Sequence, residues 1–365
     1  MKFQKPKIIH TESSGGWGGQ EIRILEEANL FETFSDFSCE ILASETSQFV
    51  DRNPYSNLRL HLGKISKKRI SGLKDLVSKF NRLEPDIVVT HSSTDSWLVV
   101  LAKFFVRKPY KIIRVRHVSA PIKADLMTRW MYRQPEKIVT TSKAIKKHIE
   151  EVIGLAANDV ISVPTGVDCE KYSPVSSAEK KLIRKKLGLK LETAYLIMVS
   201  TLRSWKGHSF VIHALQDIPN CELLIVGDGP QEENLLNQVE DLGLKKRVSF
   251  LGYRKDIPDI LKAGDIFLQP SYANEGVSQS LLQACATGLP CVAGDITGLN
   301  ELITHKKNGF LVAPKSSLEI SQAVKAILYD DDLSNLGVNA RENVVNHHSL
   351  YSMYLKMNEV VKSVL

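Results

Sequence analysis

Apolar residues follow two alternating rhythms along this chain. Short runs rich in Val, Ile and Leu, with the length and composition of buried strands, lie at Lys7–His10, Cys39–Ala43, Asp86–Thr90, Lys111–Arg116, Lys137–Thr140 and Val160–Val163. A second series lies at Tyr195–Ser200, Glu222–Val226, Val248–Leu251, Ile266–Gln269, Cys291–Ala293 and Phe310–Val312. Helices fill the gaps, as in Gln231–Leu242 where apolar residues recur at helical spacing, and Ser349–Leu365 reads as an amphipathic helix. Strand, helix, strand repeated throughout predicts α/β layers around parallel sheets. The rhythm breaks near Asp168–Leu187, where Pro174, two serines and the run AEKKLIRKK mark a linker entering a helix. Two βα halves result, 1–170 and 171–348.

Length agrees with that division, since 365 residues suit two domains of ordinary size. A hydrophobic share of 43% and a charged share of 24% place the chain among globular proteins. No apolar run approaches the roughly 18 residues that span a bilayer, and MKFQKPKIIH lacks a signal-peptide apolar region. Five scattered cysteines, with no C-x-x-C pair, point to a reducing cytoplasm and away from a zinc site. The net charge of +7 is uneven: Lys103–Lys147 holds 13 Lys or Arg against Asp125 and Glu136. Lys64, Lys67, Lys68, Arg69 and Lys74 add a second basic run. Without a zinc finger or an aromatic RNP pattern, nucleic acid is excluded as a partner. An anionic membrane surface, a phosphorylated acceptor or a merely solvated face stay open.

Chemistry concentrates at strand ends. After Ile266–Gln269 the chain reads PSYANEGVSQSLLQACATGLPCV, so Glu275 and Gly276 stand where an apolar helix is expected to open. There free N–H groups and the helix dipole favour an anion. Gln283 follows about two turns later near the same face. STLRSWKGH puts Arg203, a planar fork, and Lys206, a point charge, where both can reach a diphosphate. ESSGGWGGQE brings Gly16, Gly18 and Gly19 to the start of the first helix, so that backbone N–H groups can face an anion. It is neither a P-loop nor a G-x-G-x-x-G fingerprint. LIVGDGPQEE also fails the dinucleotide pattern, with Glu232 where the third glycine belongs.

The Glu275-x7-Gln283 pair with LLQACATGLPCV resembles the donor-site signature, Glu-x7-Glu, of retaining glycosyltransferases of the GT4 family. The resemblance spans nearly the whole chain: TSKAIKKHI, VPTGVDCEKYSP, LIVGDGP, FLGY and NGFLVAP follow in family order and spacing. It departs in two places, Gln283 for the second Glu and Thr201 where an Arg is common. The implied fold is GT-B: two Rossmann-like domains facing across a cleft, with helix 349–365 crossing back to the first. The implied roles give Glu275 the donor sugar's hydroxyls, Gln283 the ribose, and Arg203 with Lys206 the diphosphate. Gly276, Val277 and the backbone at Leu251–Tyr253, with Tyr253, complete the donor site. His117 in RVRHVSAP matches a family histidine near the sugar. His10, before the glycine-rich loop, and Asp95, as an acceptor contact, are weaker candidates. The resemblance implies a metal-independent transferase with no cofactor, taking a nucleoside-diphosphate sugar (UDP first, GDP or ADP as alternatives). The acceptor would be a glycan or glycolipid, as in lipopolysaccharide synthesis, and the location cytoplasmic or on the inner membrane face. A GT-B sugar-nucleotide epimerase and a non-catalytic binding protein with a decayed donor site remain alternatives.

Overall fold

The computed structural model describes residues 5–118, 120–273 and 275–365. The chain forms two compact units, residues 5–165 with 350–365, and residues 166–349. Each is a fully parallel sheet with helices in its crossovers, the arrangement that buried apolar strand runs demand.

In the first unit seven strands, β1 (Lys7–Glu12), β2 (Ser38–Ser44), β3 (Arg59–Gly63), β4 (Ile87–Thr90), β5 (Lys111–Arg116), β6 (Lys137–Thr140) and β7 (Val160–Ser162), lie in the order β3-β2-β1-β4-β5-β6-β7. Sequence reading misses β3. Its residues RLHLG are exposed or half-buried as far as Leu62 at the sheet edge, so no buried apolar run advertises them. β1 pairs on one side with β2, through Ile9↔Glu40, and on the other with β4, through His10↔Val89. The last helix, Leu350–Lys362, sets Met353, Met357, Val360 and Val361 into the core beside Ile24, Ala28 and Phe31 of the helix Gly19–Phe34. Tyr354 stacks edge-on against Phe31 at 5.4 Å and donates its hydroxyl to the Phe34 carbonyl at 2.9 Å. The tail helix therefore returns to the first unit, as the resemblance implied.

The second unit orders its six strands β10-β9-β8-β11-β12-β13. They are β8 (Ala194–Val199), β9 (Cys221–Val226), β10 (Val248–Phe250), β11 (Ile266–Gln269), β12 (Cys291–Gly294) and β13 (Phe310–Val312). Leu196, Leu223, Ile225 and Val292 face one apolar layer, and Ile197, Leu224, Phe267 and Cys291 the opposite one. That two-sided burial is why these strands read as continuous apolar runs. In both sheets the chain winds outward, returns, and winds the other way, switching between β1 and β4 in one unit and between β8 and β11 in the other. Open parallel sheets bind ligands beyond the strand C-termini at such a switch.

Candidate functional site

In the second unit the loops that follow β8 and β11 meet at the switch point. Gly207 (φ 83°) ends the first, so close to Pro270 that an added Cβ would strike its carbonyl oxygen. Gly298 (φ 95°) lies likewise under Gly276, where a Cβ would come 2.5 Å from the carbonyl oxygen. This backbone-on-backbone packing brings Lys206 Nζ to 2.6 Å from Glu275 Oε1, although the residues are 69 apart in sequence. The Glu275 side chain is 7% exposed and that of Lys206 19%. A carboxylate so far from water needs a cation partner.

Ser278 caps the helix Gln279–Ala286, its Oγ accepting from the Leu281 N–H at 3.4 Å. Ser278 rather than Gly276 starts that helix, and Glu275 sits on the loop at its mouth. A serine hydroxyl satisfies the first orphan N–H groups better than a glutamate placed before Val277 can. Glu275 and Gly276 lie in the preceding loop, and Val277 is buried beneath it. Gln283, in the second turn, is 7% exposed, so it is not a solvated helix residue. Arg203 sets its guanidinium 5.5 Å over the Trp205 ring, and the Trp205 carbonyl accepts from Tyr272 N–H at 2.9 Å. Tyr253 is exposed after β10. The backbone beside it is less available than expected: Leu251 N–H bonds Ile225 and the Gly252 carbonyl accepts from Gly227, because the sheet ladder continues past the strand.

Polar residues that sequence reading missed crowd the same place. His208 is buried, 3.0 Å from Ser200 Oγ, and burial with the nearby Lys206 charge pushes its pKa down to about 4. Gln269 accepts from Ser278 Oγ at 2.8 Å and Ser280 Oγ at 3.1 Å. Among the described residues the buried Gln269 Nε2 and Ser271 Oγ have no partner. A Gln ending an otherwise apolar strand was the available signal for this cluster.

In the first unit His10 in β1, His91 just past β4 and His117 just past β5 line up across three adjacent strands. His10 Nδ1 lies 2.9 Å from His91 Nε2, and His91 Nδ1 lies 2.9 Å from His117 Nε2. Desolvation, first, and the Arg23 charge push His10 down to about 3. Burial holds His91 and His117 well below the usual imidazole range, again with Arg23 contributing. All three are neutral. Sequence reading singled out His10 and His117 but not His91; His10 lies inside β1, which runs on to Glu12 rather than ending at His10, while His91 and His117 each directly follow a buried strand.

The glycine-rich loop is preoccupied. Gly16 N–H donates to Ser14 Oγ at 2.9 Å, which corrects the expectation that it faces a ligand anion. The buried Glu12 carboxylate accepts from Ser14 N–H at 2.6 Å, from Ser92 Oγ and from the Gln20 amide, so the protein supplies its own acid beside the loop. Gly18 is the extended N-cap of the helix Gly19–Phe34, and Gly19 is exposed at its start. Asp95 is 1% exposed and accepts from Thr11 Oγ1 at 2.8 Å, His91 N–H at 3.0 Å and Ser92 N–H at 2.8 Å. It closes a capping box on the helix Ser93–Ala102. An acceptor-contact role is thereby corrected, because the carboxylate is spent on backbone and buried hydroxyl donors. Burial, then the Glu12 charge, push it up to about 8.

The basic run is partly structural. Arg114 is buried with its guanidinium 4.1 Å over the Tyr132 ring, and Lys103, Lys108, Lys137 and Lys146 pair with Glu136, Asp86, Asp159 and Glu150. Among the described residues no helix is long and apolar enough to cross a membrane, and no group of three or more His, Cys, Asp or Glu could hold a metal ion.

Two family models match in succession: Glycosyltransferase Family 4 over residues 17–171 and Glycosyl transferases group 1 over 179–343. The UDP-Gal:alpha-D-GlcNAc-diphosphoundecaprenol alpha-1,3-galactosyltransferase of Escherichia coli is 27% identical over 98% of this chain and 96% of its own length. The N-acetyl-alpha-D-glucosaminyl L-malate synthase of Bacillus anthracis is 26% identical over 67% of this chain and 65% of its own. Among solved structures, Anabaena Alr3699/HepE in complex with UDP superposes with a TM-score of 0.85 at 22% identity, over 98% of this chain and all of that one (100%). WaaG, a glycosyltransferase involved in lipopolysaccharide biosynthesis, gives 0.73 at 16% identity, over 97% and 99%.

Proposed function

The chain belongs to the glycosyltransferases of the GT4 type with the GT-B fold, and on that premise we propose that it is a retaining, metal-independent transferase using a nucleoside-diphosphate sugar. The observation that carries this reading is the Lys206–Glu275 pair, a buried carboxylate and a cation that meet at the switch point of the second unit. In this reading Lys206 and Arg203 take the donor diphosphate, Glu275 the sugar hydroxyls and Gln283 the ribose. Gly276 and Val277 supply close backbone. UDP is the proposed nucleotide, supported by the UDP-Gal named for the Escherichia coli relative and the UDP bound to the Anabaena protein.

Chemically, the bond from the anomeric carbon to the diphosphate oxygen breaks, and the acceptor oxygen bonds to that carbon on the same face. The acceptor proton passes to the departing phosphate oxygen. Negative charge grows on the diphosphate as the bond opens, and fixed cations stabilise it without reorganising. No protein nucleophile is required. When the donor is bound, Lys206 exchanges one oxyanion partner for another, so the charge it carries is already desolvated and positioned.

The acceptor in this reading is a glycan carried on an anionic lipid, of the kind named for the Escherichia coli relative, in lipopolysaccharide or another surface polysaccharide. Val118, Leu126, Met127 and Trp130 are exposed at 46%, 84%, 62% and 36%, interleaved with Lys123, Arg129 and Arg133. Apolar side chains among cations suit the headgroup layer of an anionic membrane. A cytoplasmic enzyme docked on the inner face follows.

The test is a thermal-shift panel of UDP, GDP, ADP and their sugar conjugates, with and without EDTA. It is followed by anomer analysis of any product by NMR. Ligand at a hundred times its dissociation constant adds about 2.7 kcal/mol. A UDP-specific shift unaffected by EDTA, with a product that keeps the donor's anomeric configuration, is expected. Inversion, EDTA sensitivity or no shift at all overturns the reading. Co-sedimentation with anionic vesicles at low salt checks the membrane claim, which fails if Leu126→Asp with Met127→Asp leaves binding unchanged.

A further inference from the structure

A neutral imidazole carries one N–H and one bare nitrogen. His91 bonds through both ring nitrogens, so it donates on one side and accepts on the other. The two bonds must then run in one direction, and the proton position on His10 dictates that on His117. Only two states exist. Either His10 and His91 both carry the proton on Nδ1 and His117 Nε2 accepts, or every proton sits on Nε2 and His117 donates inward.

The buried end of the chain decides between them. Among the described residues His10 Nε2 has no hydrogen-bond partner, and neither does Nη2 of the wholly buried Arg23. The rest of that guanidinium is engaged: Nη1 donates to the Val163 carbonyl at 2.9 Å and Thr165 Oγ1 at 3.2 Å, and Nε reaches Glu27 Oε2 at 3.4 Å. Arg23 acts electrostatically on all three histidines. Near a fixed cation whose remaining N–H is unmatched, a bare ring nitrogen is favoured and an outward N–H is repelled. The first state therefore wins, and His117, the half-buried end, keeps its proton on Nδ1.

We infer that Arg23, His10 and His91 are positioning residues, which hold His117 as an Nδ1–H hydrogen-bond donor toward a ligand oxygen rather than as a base. The functional part rests on the transferase reading above, in which that oxygen belongs to a sugar. His117 then orients a hydroxyl or carbonyl by donating to it and takes no proton from the acceptor, in keeping with proton transfer to the leaving phosphate.

Long-range ¹H–¹⁵N correlation spectra of the full chain labelled with ¹⁵N-histidine read each tautomer directly. The wild-type protein at pH 7.5 is expected to show Nδ1–H on His10, His91 and His117. His91→Phe breaks the relay and lets His117 revert to the Nε2–H form that a free histidine side chain prefers. His91→Gln, whose amide both donates and accepts, keeps Nδ1–H. An Nε2 proton on wild-type His117, or an unchanged His117 in a folded His91→Phe protein, overturns the inference. If His91→Phe does not fold, the wild-type tautomer alone decides. In turnover, His91→Phe should lower kcat roughly five- to tenfold, the worth of about one hydrogen bond, with UDP affinity unchanged and His91→Gln restoring the rate. A wild-type protein with the expected tautomers but no sugar transfer sinks the transferase reading and leaves the relay standing.

Discussion

The two switch points sit at equivalent places in two similar sheets, yet they hold opposite kinds of polar group. In the first unit the groups are uncharged or spent internally: three neutral imidazoles in series, and Asp95 locked into a helix cap. In the second a lysine and a glutamate face each other across 2.6 Å, in loops pressed together by glycines. The difference teaches how similar folds divide labour. A neutral hydrogen-bonding array suits hydroxyl-bearing ligands and resists charge. A charged pair at the mouth of a helix suits a ligand that carries charge and releases more of it during reaction.

The contrast is most exposed to acid. Unfolded histidines protonate near 6.5, whereas His10 titrates at about 3, His208 at about 4, and His91 and His117 well below their ordinary value. The stability tied to their neutrality is complete above pH 6.5 and is lost as pH falls toward the folded values. Each contributes a slope of about 1.4 kcal/mol per pH unit in that window. Urea unfolding between pH 7 and 4.5 should show several-fold that slope, and a flat profile would mean the imidazoles are not held neutral. Asp95 has the opposite sign, its pKa raised to about 8, so its contribution is present at low pH and lost as pH rises through 8. That loss runs between about pH 4 and 8 and opposes the histidine trend, so Asp95→Asn should steepen the rise in stability from pH 4.5 to 7.

Removing the charged half of the comparison comes next. Lys206→Ala should lower kcat about 10²-fold or more by deleting a partner for the developing charge. It should also cost about 1–3 kcal/mol of stability, because Glu275 is left buried without its cation. Turnover within threefold of wild type would dissociate Lys206 from the chemistry. Gly298→Ala tests the loop packing itself. Its positive φ and the Gly276 carbonyl at 2.5 Å predict a loss of about 1–3 kcal/mol and weaker nucleotide binding, and calorimetry with and without UDP reads both. The smallest effect is expected from Gln283→Glu. A charged acceptor strengthens a hydroxyl hydrogen bond by roughly 1 kcal/mol, so UDP affinity should rise no more than about tenfold, measured by titration calorimetry.

Much of this site was legible in local pattern. Lys206, Glu275 and His117 lie in segments that follow strands whose apolar runs are unmistakable, Gln283 lies in the helix beyond Glu275, and all follow family order. Gly16, Asp95 and the backbone at Leu251 and Gly252 misled. Gly16 N–H is taken by the nearby Ser14 hydroxyl, Asp95 by Thr11 far back in the sequence, and the Leu251–Gly252 backbone by a ladder that outlasts the strand. His91 was passed over because a lone histidine between a strand and a serine-rich turn has no meaning until two others are placed beside it.

What the sequence determined by itself was the alternation of strands and helices, the break between two halves and the residues offered at each strand end. These follow from the period of apolar side chains and from turn chemistry, both local properties. Only the tertiary structure decided who meets whom: Lys206 with Glu275, His10 with His91 and His117, Asp95 with Thr11. Strand order in a parallel sheet is set by crossovers and burial over the whole unit, so neighbours in space can be 26, 69 or 81 residues apart. Protonation state then follows from that assembly, because desolvation depends on everything packed around a group and not on the residues beside it in the chain.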